Sequence, residues 1–224
     1  MGTGYVDLEQ SAPGARPSSS PAVLGPLPPG FGQTRVVLHR IAEDVLKPAR
    51  ERVTGRFGLR ALPGGFGTPP FGEVTQLHVE GTELVTRERG DVWREPIDGV
   101  DPDAASALAT WFAFAAGVLE ELLADADASL SPTPAQLWPE HFDLAIELGD
   151  EGAGRRATYG ASPGDDKHPE PYLYVATWNP PPDGPLWNAT AFAGSELAYP
   201  ELLAASDRRA CARDFFQTRL DALS

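Results

Sequence analysis

Residues 104–119 carry no charged side chain on any face, a property few soluble segments of this length have. Leu108, Trp111, Phe112, Ala115, Val118, Leu119 and Leu122 recur at steps of three and four, the period of an α-helix with a broad apolar stripe. The start is marked by Asp101 as N-cap, Pro102 in the first helical position and Asp103 at the positive end of the dipole. A helix without charge all round must be covered on most sides. The rest of the chain is therefore expected to wrap it as the central core helix.

Three further helices are expected. Val37, Leu38, Ile41, Ala42, Val45, Leu46, Ala49 and Val53 give an amphipathic helix over 33–53, in which Pro48 removes the hydrogen bond to Asp44. A kink, or a split with Pro48 opening the second piece, follows. A short helix over 196–204 and a final one over 206–222 close the chain. Strands are predicted over 56–62, 73–79, 83–89 and 91–97, with a hairpin at Glu80 and Gly81. Beyond the central helix they are predicted over 140–148, 155–159, 172–178 and 186–192. The fold class is α+β, an antiparallel sheet of about six to eight strands in two meander groups packed against three main helices. Residues 1–30, rich in Pro, Ser and Gly, read as a disordered tail, and 31–224 as a single domain. A short echo between Arg60-Ala61-Leu62-Pro63-Gly64-Gly65 and Tyr159-Gly160-Ala161-Ser162-Pro163-Gly164 raises helix-plus-meander halves over 33–100 and 101–224.

Charge narrows the function classes. The 18 Lys and Arg against 32 Asp and Glu leave a net charge of -14, and no Lys or Arg lies between Arg94 and Arg155. Such a surface repels phosphate backbones and anionic headgroups, which argues against nucleic-acid and membrane-surface binding. The basic residues over 35–60 are interleaved with Glu43, Asp44 and Glu51 at helical spacing and read as a solvated helix face. The single cysteine, Cys211, excludes an internal disulfide; beside Phe215 on an apolar face it reads as a core residue. The start of the chain has neither a basic n-region nor an apolar h-region, and no run approaches the ~20 apolar residues of a span. A cytoplasmic location is expected, which makes Asn188-Ala189-Thr190 a chance sequon.

Chemistry-bearing residues concentrate in 137–178. Phe142, Leu144, Ile146 and Leu148 alternate with His141, Asp143, Ala145 and Glu147, so His141 and Asp143 should point the same way from one strand. Ser162-Pro163-Gly164-Asp165 is a type II turn sequence, opening a loop that carries Asp165, Asp166, Lys167, His168 and Glu170. Pro163, Pro169 and Pro171 fix its shape. Tyr172, Tyr174 and Trp178 share one face of the next strand and can line a pocket with Trp187 and Phe192, although strand packing alone favours a core face.

No motif names a reaction. There is no HExxH, paired CxxC, EF-hand loop or GxSxG, and Gly64, Gly65 and Gly67 lead into Pro69-Pro70 where a phosphate loop would need a helix. His39 and His78 read as structural. The leading expectation is a non-catalytic protein that binds a small molecule or a protein partner, through His141, Asp143, Asp165, Asp166, His168, Glu170, Tyr172, Tyr174 and Trp178. The alternative is a divalent-metal-dependent hydrolase using His141, Asp143, Asp165 and His168. No residue pattern identifies a cofactor or an oligomeric state.

The segments LWPEHFD, YGASPGDDKHPEPYLYV and LWNATAF, with HRIAEDVLKPARERVTGRFGLR and GGFGTPPFG, resemble an uncharacterised family of hypothetical proteins from high-GC Gram-positive bacteria. The resemblance covers the chain from about residue 33 and implies a conserved stand-alone soluble domain. It implies no activity, cofactor or catalytic residue.

Overall fold

Two long helical segments of the chain are each followed by five antiparallel strands. The computed structural model describes residues 23–72 and 74–224. Helix α1 (Phe31–Arg40), a π-helical segment (Ile41–Leu46) and α2 (Lys47–Thr54) lead into β1 (Arg60–Leu62), β2 (Gly65–Gly67), β3 (Thr75–Glu80), β4 (Glu83–Glu88) and β5 (Asp91–Pro96). Helix α3 (Pro102–Asp125) leads into β6 (Gln136–Trp138), β7 (Asp143–Leu148), β8 (Ala157–Ser162), β9 (Tyr172–Thr177) and β10 (Gly194–Ala198). Helices α4 (Tyr199–Ala204) and α5 (Arg208–Leu223) end the chain. The α+β class with two antiparallel meanders is thus the observed one.

Both meanders begin at the middle of the molecule and wind outward, with strand orders β1-β2-β3-β4-β5 and β10-β9-β8-β7-β6. The two innermost strands meet through Leu59 and Leu137, whose backbones exchange hydrogen bonds of 2.8 and 2.9 Å. Helix α3 lies across that seam, touching β1 and β2 on one side and β7 and β8 on the other, while α1 and α5 flank it. Its Asp101 carboxylate accepts from the Ala104 N–H at 2.9 Å, the cap the sequence called for. Trp111, Phe112, Val118 and Leu119 are buried to about one per cent exposure or less. By length and composition α3 does meet the criterion for a membrane span, with a mean hydropathy of 1.5, contrary to the expectation that no run approaches one. Eleven of its residues are buried in this fold, against both sheets and the neighbouring helices.

Several local readings are corrected. Residues 1–22 of the expected tail lie outside the described residues. Leu24 is buried, at 4 % exposure, and the carbonyls of Leu24 and Gly25 accept from Arg208 (2.6 Å) and Tyr199 (2.7 Å), so the packed domain starts before residue 31. The first helix does divide at Pro48 as expected, α2 opening at Lys47 with Pro48 in its first turn, while the π-helical segment before it, with its wider register, relieves the ring's clash with the preceding turn. Strands β2 and β6, three residues each, lie in stretches whose Gly and Pro content hid them. Residues 186–192 do not form a strand. The Asn188 side chain takes a partner strand's place instead, its Oδ1 accepting from the Glu196 N–H (2.9 Å) and its Nδ2 donating to the Glu196 carbonyl (3.0 Å). The Pro-Gly echo marks two similar turns at unlike places, between β1 and β2 and after β8.

Trp111 stacks near Phe114 and meets Tyr199 edge-on at 5.7 Å in the α3 core. Trp111→Ala is expected to cost about 3–5 kcal/mol, and Leu24→Ala about 2 kcal/mol, in urea denaturation. A Leu24→Ala loss near zero would mean the segment before α1 contributes no burial.

Candidate functional site

Strand pairing decides which side chains meet on the sheet face away from the helices. Trp138 pairs with Asp143, Leu144 with Ala161, Ser162 with Tyr172 and Gly160 with Tyr174, so Asp143, Ser162, Tyr172 and Tyr174 share that outer face. Leu144, Ile146, Tyr159, Leu173 and Val175 face the helices and are buried. The Tyr172 and Tyr174 row is therefore not the core face that packing alone favoured.

Gly160 determines where the Tyr174 ring lies. A Cβ there would sit 2.4 Å from Tyr174 Cζ and 2.5 Å from its hydroxyl oxygen. With no side chain in the way, the ring lies across β8 and its hydroxyl donates to Asp143 Oδ2 on β7. Asp143 is 7 % exposed, and its Oδ1 has no hydrogen-bond partner. Burial lifts the Asp143 carboxyl above the ordinary carboxylate range, against the opposing influence of the Tyr174 hydroxyl, His141 and His39. Burial and the adjacent Asp143 push the Tyr174 phenol well up, so it stays a donor.

The turn before Asp143 is strained. Phe142 has φ +55°, an outlying conformation for a bulky residue that costs about 1–3 kcal/mol. Its N–H donates to the Trp138 carbonyl at 2.7 Å. Its ring is held by Phe66 at 5.0 Å, Phe112 at 5.4 Å and the stacked His39 imidazole at 5.1 Å. His39 Nε2 lies 2.9 Å from the Pro139 carbonyl, so α1 is tied to the same turn.

The loop after β8 is shaped as its prolines and turn residues implied. Gly164 takes φ +95°, and a Cβ on it would meet the His168 carbonyl at 2.6 Å. Asp165 Oδ1 accepts from the backbone N–H groups of Lys167 (2.6 Å) and His168 (2.8 Å). Burial works to raise the Asp165 carboxyl, but these two backbone donors outweigh it and hold the group below its usual range. Tyr172 lies 3.4 Å from Asp165 Oδ2 through its hydroxyl, and its phenol is pushed up to about 12 by burial with Asp165 nearby.

These elements enclose a cleft of about 450 Å³ lined by His39, Glu140, His141, Asp143, Ser162, Asp165, Tyr172, Tyr174, Ala176 and Phe192. Of the residues singled out in the sequence, His141, Asp143, Asp165, Tyr172 and Tyr174 come together here. His141 does so from the turn, not from a strand, because β7 begins at Asp143. Asp166 lines a shallower continuation toward Arg35 and Lys167. His168 is tilted against Tyr172 at 4.9 Å and lies 3.5 Å from Glu196, outside the cleft. Glu170 is exposed, its charge acting on Tyr199, and Trp178 covers Arg156 at 5.3 Å. His141, Asp143, Asp165 and His168 do not gather as a metal-ligand group, and no group of three or more His, Cys, Asp or Glu does so among the described residues. His39 and Glu140 were missed as cleft residues; His39 reaches the site from a helix a hundred positions earlier, where only its apolar neighbours were visible.

No family model, curated protein or solved structure matches the chain.

Because the folded carboxyl of Asp143 titrates above the unfolded value of about 3.9, the native state holds more protons between the two, and stability falls as pH rises through that window. Asp143→Asn removes this contribution. The variant is expected to match or exceed the parent at pH 7 and to lose that advantage below about pH 4, measured by urea denaturation at both values. A variant markedly less stable at pH 7 would make Asp143 a structural group.

Proposed function

We propose that the protein is a non-catalytic binder of small organic cations, taking an amine group against Asp143. The observation that carries this reading is the free Oδ1 of a buried carboxyl at the base of an aromatic-walled cleft. Glu140, Asp143 and Asp165 line that cleft and no Lys or Arg does. Glu140 is engaged by Lys47 at 2.6 Å, which leaves Asp143 and Asp165 to meet a ligand. An ammonium supplies the donor that Oδ1 lacks, and its charge offsets the cost of ionising Asp143 in a buried setting. Tyr172, Tyr174 and Phe192 offer ring faces of the kind that attract cations. The volume lies within the range of small-molecule sites, about 300–1,000 Å³. A metal-dependent hydrolase finds less support, since its four expected ligands do not converge.

Thermal shift with matched probes tests this. Benzylamine and choline at about a hundred times their dissociation constants should raise the melting temperature by roughly 5–10 °C, while benzyl alcohol and benzoate leave it unchanged. Affinity should rise with pH as Asp143 ionises, and Asp143→Asn and Gly160→Ala should remove the response. Equal shifts from benzoate, or a full response in Asp143→Asn, would overturn the proposal.

A further inference from the structure

A second concavity, of about 610 Å³, opens on the same outer face over the junction of the two sheets. Arg50 from α2, Arg56 from the segment leading into β1 and Arg60 at the start of β1 line it, opposite Trp138 and Pro69-Pro70. We infer that this seam pocket binds a small phosphomonoester with a planar apolar body, its phosphate held by Arg50, Arg56 and Arg60 and its body against Trp138.

The counter-charges expected beside these arginines lie elsewhere. Interleaving with Glu43, Asp44 and Glu51 points to a solvated helix face. In the structure Glu43 and Glu51 act on Lys47, which is itself bonded to Glu140, and among the described residues no carboxylate acts on Arg50. Its charged neighbours are Arg56 and Arg60. Arg50 donates through Nη1 to the Gly58 carbonyl, and its Nε is buried without a partner. Among the described residues the only carboxylate lining the pocket, Glu147, is occupied by Arg156 at 3.3 Å. A protein with net charge -14 thus gathers three guanidinium groups with no acid at salt-bridge distance among the described residues, which leaves donors for an external anion. Guanidinium forks match phosphate geometry. The half-exposed indole of Trp138, tilted against Phe57 at 5.9 Å, supplies a flat wall for an aromatic or heterocyclic body.

The walls are fixed before any ligand arrives. Thr133 and Glu147 exchange hydrogen bonds of 2.9 and 3.1 Å that hold the loop before β6 against β7, and the Leu59 to Leu137 pair joins the halves beneath. Arginines come from one half and the tryptophan from the other, so an occupant would bridge the seam.

Isothermal titration calorimetry with phenyl phosphate and inorganic phosphate on the full chain tests the assignment. Phenyl phosphate should bind saturably and more tightly than inorganic phosphate, with affinity falling as salt rises. The double variant Arg56→Gln/Arg60→Gln, altering two exposed side chains, should keep its melting temperature and lose about tenfold or more in affinity. Trp138→Ala should weaken phenyl phosphate while sparing inorganic phosphate. Asp143→Asn should leave phosphate binding intact, which separates this pocket from the amine cleft. Vesicles containing phosphatidic acid distinguish the source of the phosphate: protein left in the supernatant takes it from a soluble molecule, whereas sedimentation reversed by phenyl phosphate indicates a headgroup. No saturable heat at millimolar phenyl phosphate, or undiminished binding by the double variant, would overturn the inference.

Discussion

The join between β1 and β6 is the constraint on which the rest of the architecture depends. Two five-stranded meanders ending there would each present an open inner edge, a template for wrong pairing. Leu59 and Leu137 close that edge with a reciprocal pair of backbone bonds, and α3 seals it from the helix side. This placement explains the uncharged run of the sequence. A helix that packs on four strands from two sheets, with α1 and α5 beside it, buries most of its central turns and keeps only a narrow stripe through Ser106 and Ala113 exposed. The outer edges are treated differently. On β5 every residue is exposed, and Asp91, Arg94, Glu95 and Pro96 discourage an added strand. On β10 the Asn188 amide occupies the backbone groups of Glu196.

Near Asp143 the chain departs three times from what stability alone favours. Phe142 holds a left-handed backbone, Asp143 is buried with an oxygen unpaired, and Gly160 stands within a strand. Each weakens the local structure, by about 1 kcal/mol for the glycine and about 1–3 kcal/mol for the strained residue. Packing of the Phe142 ring among Phe66, Phe112 and His39 retains the conformation. Departures from local consistency collect where a site demands them, and these three converge on a single carboxyl. Gly160 makes room for Tyr174, Tyr174 orients Oδ2, and the strained turn brings His141 and Glu140 to the rim.

Much of this was legible in the residues, and what was not has physical causes. Period and caps located α3 and α5, and the alternation in 172–177 placed Tyr172 and Tyr174 opposite Leu173 and Val175. Pro163, Gly164 and Asp165 specified the loop because their effects act over one or two residues. Alternation, though, tells which residues share a face and not which face the helices cover, so a pocket wall and a core face both stood open for the tyrosine row. Strands β2 and β6 are too short to show a period and exist because neighbours pair with them. His39 joins the cleft only through tertiary packing. The absence of a carboxylate beside Arg50 was equally invisible, since interleaving with Glu43, Asp44 and Glu51 along the helix does not tell which side chains meet in space.

Strand β7 carries the contrast between the two concavities. Its outward side chains are Asp143, Ala145 and Glu147: the first lines the cleft, the last two line the seam pocket. Both ends bear a carboxyl group, yet only the Asp143 end is left without a cation at salt-bridge distance, because Arg156 sits 3.3 Å from Glu147. Arg156 is itself fixed by the carbonyls of Ser131 and Gly149 and covered by the Trp178 ring, so its charge stays beside Glu147. One buried arginine thereby neutralises the carboxylate at one end of the strand, where Arg50, Arg56 and Arg60 supply the remaining charge. The small Ala145 between them puts no bulk in either space. The opposite ligand preferences proposed for the two concavities thus need no separate domain, only a guanidinium placed beside one carboxylate and withheld from the other.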